Sequence, residues 1–114
     1  MLEGSCDCGA VRIELSDAPD EVTSCNCGIC RRYAALWSYF DASRVRLSPP
    51  EGATTIHKRG KRVLEFHFCS ACGCVTHWAA VDKRHTRMGV NMRLFAPEVL
   101  APLRVAQCDA ASWE

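Results

Sequence analysis

Seven of the nine cysteines in this chain fall into three tight clusters: Cys6-Asp7-Cys8, Cys25-Asn26-Cys27-Gly28-Ile29-Cys30 and Cys69-Ser70-Ala71-Cys72. Thiolates one or three positions apart can converge on a single soft ion. Zinc accepts four sulfurs in a tetrahedron and brings no redox chemistry of its own. A closed structural site uses four ligands, so seven sulfurs leave a second site with three and one open position, the arrangement that separates catalytic from structural zinc. Cys6/Cys8 and Cys69/Cys72 are two-ligand units that together supply four sulfurs, and Cys25, Cys27 and Cys30 supply three from one short segment. A partition into three plus a stray thiol leaves the pairs incomplete. Ligand arithmetic therefore favours four plus three, with two zinc ions per chain, one structural and one catalytic, and points to an enzyme.

The competing chemistry is a disulfide framework, since nine cysteines in 114 residues is a density often met in secreted scaffolds. The count is odd, and Cys6 and Cys8 cannot readily bridge each other, because so small a ring misses the preferred disulfide torsion. The opening Met1-Leu2-Glu3-Gly4 has neither a basic n-region nor an apolar h-region, so a cytoplasmic location is expected. A thioredoxin-like redox role for Cys27/Cys30 or Cys69/Cys72 lacks the βαβ pattern that such a motif needs around it.

A chain of 114 residues makes one domain, here 1–114, with a modest core. Zinc would supplement that core with about 10–16 kcal/mol per structural site, which counts as folding energy when the apo chain has no preformed site. The hydrophobic fraction of 48% and charged fraction of 24% are ordinary for a globular domain, and no apolar run approaches a membrane span. Net charge is +1, with basic residues in short groups: Arg31-Arg32, His57-Lys58-Arg59-Gly60-Lys61-Arg62 and Lys83-Arg84-His85. The middle group reads as a hairpin loop around Gly60. So neutral a domain lacks the electrostatic footprint of a nucleic-acid binder, and no membrane contact is expected. Nothing in the sequence sets an oligomeric state.

The elements that must position the cysteines read mostly as strands. Residues 10–15 alternate apolar and polar, placing Val11, Ile13 and Leu15 on one buried face. A short return strand over 22–25 delivers the second cluster, and 27–32 forms a tight turn or a single helical turn. Further strands are expected over 36–40, 45–47, 53–57, 63–68, 75–80, 88–92 and 103–106, with a loop over 48–52. In the strand over 63–68, Leu64, Phe66 and Phe68 face one way, and the strand runs into a zinc knuckle whose Gly73 permits the close turn. Only residues 96–100, with Pro97 in the first turn, look clearly helical.

Taken in order, Gly4-Ser5-Cys6-Asp7-Cys8-Gly9-Ala10-Val11, Cys25-Asn26-Cys27-Gly28-Ile29-Cys30-Arg31-Arg32 and Phe68-Cys69-Ser70-Ala71-Cys72-Gly73 resemble the glutathione-dependent formaldehyde-activating enzyme family, which also includes centromere protein V. The likeness covers nearly the whole chain, and three differently spaced cysteine units in a fixed order make a specific signature. Residues 36–47 and 91–113 look more like the centromere protein V branch. The resemblance implies a mainly β, Mss4-like fold of small antiparallel sheets with zinc knuckles and little helix. It implies a structural zinc on Cys6, Cys8, Cys69 and Cys72 and a catalytic one on Cys25, Cys27 and Cys30. It also implies a carbon–sulfur lyase that reversibly joins glutathione and formaldehyde into S-hydroxymethylglutathione, so that a small thiol such as glutathione and an aldehyde are the expected partners. Likeness to centromere protein V permits an alternative, a zinc-stabilised non-catalytic binding module for a protein or nucleic acid.

Other residues are assigned around that core. Arg31 and Arg32, directly after the third ligand, are placed to offset thiolate charge or to pair with a glutathione carboxylate. Strand alternation makes His67 and His77 surface or filling residues rather than acid, base or ligand, and no proton donor is assigned. Cys74 reads as a small buried strand residue with a substitute-ligand or redox-partner role as the alternative, and Cys108 as a packed or partly exposed free thiol. Trp37, Tyr39, Phe40, Trp78 and Trp113 could line a pocket over the open position, although strand aromatics more often fill cores. A chain this short has little length left for recognising a whole tripeptide, so the site could take a different thiol.

Overall fold

The computed structural model describes residues 1–50, 53–59 and 63–113. Within them the chain runs through ten strands: β1 (Leu2–Ser5), β2 (Arg12–Leu15), β3 (Glu21–Cys25), β4 (Trp37–Asp41), β5 (Val45–Ser48), β6 (Thr54–Lys58), β7 (Leu64–Cys69), β8 (Val75–Ala80), β9 (Arg87–Asn91) and β10 (Arg104–Cys108). Two short α-helices, α1 (Gly28–Tyr33) and α2 (Pro97–Leu100), and three 3-10 turns complete it. The mainly β reading holds. The segment after Cys27 makes six helical residues, so helix is not confined to the stretch around Pro97. β1 is a strand that alternation does not reveal, because Leu2-Glu3-Gly4-Ser5 carries a single large apolar residue. Its Gly4 lies so close to its neighbours that a Cβ there would sit 2.9 Å from the Leu94 carbonyl oxygen and 3.0 Å from the Phe95 ring.

β1, β2 and β5 form a three-stranded antiparallel sheet, and the remaining strands form a seven-stranded sheet in the order β10-β3-β4-β9-β8-β7-β6. Its pairs are antiparallel except β10 with β3, which run parallel from Arg104 opposite Glu21 to Cys108 opposite Cys25. The expected hairpin is present as the antiparallel β6–β7 pair; Gly60, Lys61 and Arg62 of its loop, like Glu51 and Gly52 of the loop before β6, lie outside the described residues.

Cross-strand register sorts the large sheet into two faces, because side chains directly opposite each other share a face. Phe40 opposite Met88 and Ser38 opposite Val90 point toward the small sheet. There Val22, Phe40, Met88, Val90, Met92 and Phe95 pack with Ile13 and Leu15 in the main core. The other face carries Trp37 opposite Asn91, Tyr39 opposite Gly89, Gly89 opposite Trp78, and Trp78 opposite Phe66. Helix α1 packs on this second face, with Cys30 buried against Ala35, Trp37 and Phe66. A register shift between His67 and Phe68 puts Phe68 opposite Val75 and leaves Thr76 as the extra residue of a bulge. Bulges add local twist. Here Phe66 and Cys69 are buried while Phe68 is only partly so, and the expected Leu64-Phe66-Phe68 face is interrupted. Among the described residues no helix is long and apolar enough to cross a membrane.

Candidate metal centres and active site

Two knuckles of matching design bring their cysteines together. After β1, the Gly9 amide donates to the Cys6 carbonyl at 3.1 Å and the Cys6 amide to the Val11 carbonyl at 3.0 Å. After β7, the Gly73 amide donates to the Cys69 carbonyl and the Cys69 amide to the Cys74 carbonyl, both at 2.9 Å. In each, the glycine following the second cysteine adopts a left-handed conformation, φ +80° at Gly9 and +81° at Gly73, which a side chain would resist. The four sulfurs of Cys6, Cys8, Cys69 and Cys72 lie within 4.8 Å of one another. Cys8 Sγ stands 3.7 Å from Cys6 Sγ and 3.6 Å from Cys69 Sγ. A tetrahedron with Zn–S bonds of about 2.3 Å has edges of about 3.8 Å, so these spacings suit the ion. The donors suit it too. Backbone N–H groups of Cys74 and Cys8 pull the Cys72 thiol down to about 6, those of Cys72 and Ala71 lower Cys69, and the Val11 amide reaches Cys6 Sγ at 3.3 Å. Cys74 stands outside the four-sulfur group, packed against it with Val11, and serves it through its backbone.

A second group forms where β3 passes into α1. Cys25 ends the strand, Cys27 caps the helix and Cys30 lies buried within it. Their three sulfurs also lie within 4.8 Å of one another. The Cys30 amide donates to Cys27 Sγ at 3.4 Å and the Arg31 amide to the Cys27 carbonyl at 2.9 Å. Asn26 ties this segment to the chain end: its amide donates to the Cys108 carbonyl at 3.1 Å, its Nδ2 to Asp109 Oδ1 at 2.8 Å, and its Oδ1 accepts from the Ala111 amide at 2.9 Å.

The three thiols differ in their electrostatics: burial raises Cys25 and Cys30, whereas Cys27 is lowered. Burial, and then the neighbouring Cys27, push the Cys30 thiol well above its usual range, opposed by the Trp37 indole. Cys27 is held low against its own burial by the amide of Cys30 and the adjoining thiols. Trp37 Nε1 is buried and makes no hydrogen bond of good geometry, while lying near enough to the Cys30 thiol to favour its thiolate form. A buried donor without a partner is costly, and a metal-bound thiolate is the acceptor it lacks. Three thiols, a capping amide and an orphaned indole N–H therefore fit a thiolate–metal centre.

Cys25 and Cys30 separate two cavities. One, of about 270 Å³, is walled by Trp37, Tyr39, Leu64, Phe66 and Trp78, and Cys108 lines it beside the three site cysteines. The other, of about 260 Å³, is polar and lined by Ser24, Asn26, Arg31 and Arg93. Arg93 is braced by Nε donation to the Ala34 carbonyl at 2.7 Å. Arg32 turns back along the helix to the Gly28 carbonyl at 2.8 Å and lines neither cavity. Of the two arginines singled out from the sequence, Arg31 thus flanks the cysteines. Arg93, far along the chain, joins it with no sequence signal to announce it.

Of the five aromatic residues that could line a pocket or fill the core, three line the aromatic cavity: Trp37, Tyr39 and Trp78. Phe40 is in the main core and Trp113 is exposed. Burial raises the Tyr39 phenol above its usual value, Thr23 and Arg87 oppose the shift, and the nearby Cys108 and Cys25 add to it. The phenol is therefore protonated, and the Arg87 guanidinium lies 4.3 Å from its ring centre. His67 and His77 face the other way, stacked 4.2 Å apart, and line neither of these cavities. Thr76 Oγ1 lies 2.8 Å from His77 Nδ1, and burial lowers His77 to about 3. Both act as packed, neutral rings.

Comparison with known proteins bears on the whole arrangement. The family model described as "Glutathione-dependent formaldehyde-activating enzyme" matches residues 1–108, a span holding all nine cysteines. A Halomonas elongata protein provisionally named as such an enzyme is 33% identical over 85 residues, covering 63% of this chain and 52% of that one. The chain thus spans about half the length of this curated relative. A crystal structure of a Rhodobacter sphaeroides protein superposes with a TM-score of 0.74 at 28% identity, covering 92% of this chain and all of the other.

Proposed function

Because this chain belongs to the glutathione-dependent formaldehyde-activating enzyme family, we propose that it is a zinc-dependent carbon–sulfur lyase that adds a thiol, glutathione in the first instance, reversibly to an aldehyde. One observation carries the reading: the three sulfurs of Cys25, Cys27 and Cys30 gather where two cavities of different chemistry meet. Zinc, when bound there, supplies Lewis acidity and keeps a substrate sulfur deprotonated. Three cysteinates outweigh the charge of the ion, and Arg31 and Arg93 offset that excess while offering a carboxylate two guanidinium groups. Tyr39, protonated and on the aromatic side, donates its phenolic proton to the carbonyl oxygen as charge develops there. Trp37, Phe66 and Trp78 keep water off that oxygen and strengthen the donation. Cys6, Cys8, Cys69 and Cys72 hold the structural ion that fixes the knuckle end of the fold. The test is adduct formation by zinc-loaded protein with glutathione and formaldehyde above the spontaneous rate. No acceleration at high protein concentration would sink the proposal.

A further inference from the structure

We infer that the carbonyl partner is an apolar aldehyde larger than formaldehyde, with its hydrocarbon part in the cavity of Trp37, Tyr39, Leu64, Phe66 and Trp78, while the thiol partner reaches the same cysteines from the groove of Arg31 and Arg93. This inference rests on the lyase reading and adds the substrate class. Formaldehyde has two heavy atoms and no hydrocarbon, so an enzyme confined to it needs no aromatic chamber. This chamber, at about 270 Å³, approaches the roughly 300 Å³ at which small-molecule sites begin.

The fold keeps the chamber open by a specific device. Gly89 lies opposite both Tyr39 and Trp78 in the sheet, and a Cβ there would fall 2.1 Å from Trp78 Nε1. The bare glycine lets the indole lie flat on the sheet instead of standing into the cavity. Tyr39 and Trp78 then pack with ring centres 5.9 Å apart, and Trp37 and Phe66 at 6.2 Å, as tilted walls. Val63, 63% exposed, continues the apolar surface outward. Arg59 is the one cation among the described lining residues.

Charge decides which reactant takes which side. A thiol bearing two carboxylates would lose hydration against the aromatic wall, where the described lining residues include a single cation, Arg59, whereas the opposite groove offers two guanidinium groups. Cys25 and Cys30 border both spaces, so the two reactants meet at the sulfurs. The reaction balances without an oxidant. The S–H bond breaks, an S–C bond forms at the carbonyl carbon, the C=O π bond opens, the Tyr39 phenol protonates the oxygen to give a hemithioacetal, and the proton released by the thiol restores the phenol.

The test uses two stable thioethers on the zinc-loaded full chain, S-hexylglutathione and S-methylglutathione, with affinity read from the fluorescence of the cavity tryptophans. S-Hexylglutathione should bind at least about tenfold more tightly, the gain expected from burying two methylene groups. Leu64→Asn should remove most of that difference, and Trp78→Ala serves as a second wall variant. Equal affinities, or tighter S-methylglutathione binding, overturn the inference even if formaldehyde turnover stands. A preference that persists in both wall variants overturns the location. Binding of neither thioether together with no turnover overturns the inference along with the lyase reading, whereas a hexyl preference without turnover supports the chamber and counts against the lyase chemistry alone.

Discussion

A methyl group added at Gly89 should be felt both as lost stability and as lost ligand space. The added Cβ would lie 2.1, 2.4 and 2.7 Å from Nε1, Cε2 and Cδ1 of the Trp78 indole, so the ring must move or the strands must part. Forcing extra volume into packed surroundings costs about 1–3 kcal/mol. An unfolding entropy of about 2.1 cal/mol/K per residue over 114 residues comes to about 0.24 kcal/mol/K, so Gly89→Ala should lower Tm by about 4–12 °C. The indole can relieve part of this by swinging toward Tyr39 and Leu64, which exchanges stability for cavity volume. Thermal unfolding at saturating zinc reads the first effect, and S-hexylglutathione binding by tryptophan fluorescence reads the second. A variant with Tm within about 1 °C of the parent and unchanged affinity would refute the argument that this glycine seats Trp78.

The remaining predictions concern the thiols, one histidine and one phenol. Cys69→Ser should unfold the chain, because about 10–16 kcal/mol of zinc binding matches the whole stability of an ordinary domain of about 5–15 kcal/mol. Cys27→Ser should keep the far-UV circular dichroism and one zinc while losing the second ion and all turnover; metal analysis of both variants decides. His77 titrates near 6.5 when unfolded and at about 3 when folded, so the unfolded chain binds the extra proton between those values and stability falls as pH falls. The loss should approach about 2 kcal/mol at pH 5, from about 1.4 kcal/mol per pH unit, and His77→Gln should flatten that slope in urea unfolding at fixed zinc. Tyr39→Phe keeps the ring and loses only the phenolic proton, so the adduct-forming rate should fall about 10²–10⁴-fold with little change in S-methylglutathione affinity.

The thiol clusters were legible because close spacing is a local property of a chain, and the structure gathers their sulfurs into the two groups that could hold a metal. Cys6/Cys8, Cys25/Cys27/Cys30 and Cys69/Cys72 each fit within a turn or two, and Gly9 and Gly73 mark the knuckle bends at the same place after the second cysteine. The strands were legible where polarity alternates, as in β2, and were missed where it does not, as in β1. Grouping of Cys6 and Cys8 with sulfurs 61 residues away followed from ligand counting rather than from any pattern. The surroundings of the second centre were a different matter. Alternation along β4 puts Trp37 and Tyr39 on one face and Phe40 on the other, but only the packing of the sheet makes one face the cavity and the other the core; Trp113, in a 3-10 turn rather than a strand, is exposed.

Sequence by itself therefore determined the chemistry available to this protein: seven thiols in metal-ligand spacing, a mainly β chain to carry them, and the family they mark. Tertiary structure decided what stands around the open group of three. The strand order β10-β3-β4-β9-β8-β7 brings Cys108, Tyr39, Trp78 and Phe66 onto one face, and the turn after β9 sets Arg93 across from them. Those neighbours are joined by long loops and crossed strands, and no periodicity or local spacing encodes such proximity. Ligand choice is written in adjacent residues, whereas cavity shape arises only when distant segments close on each other.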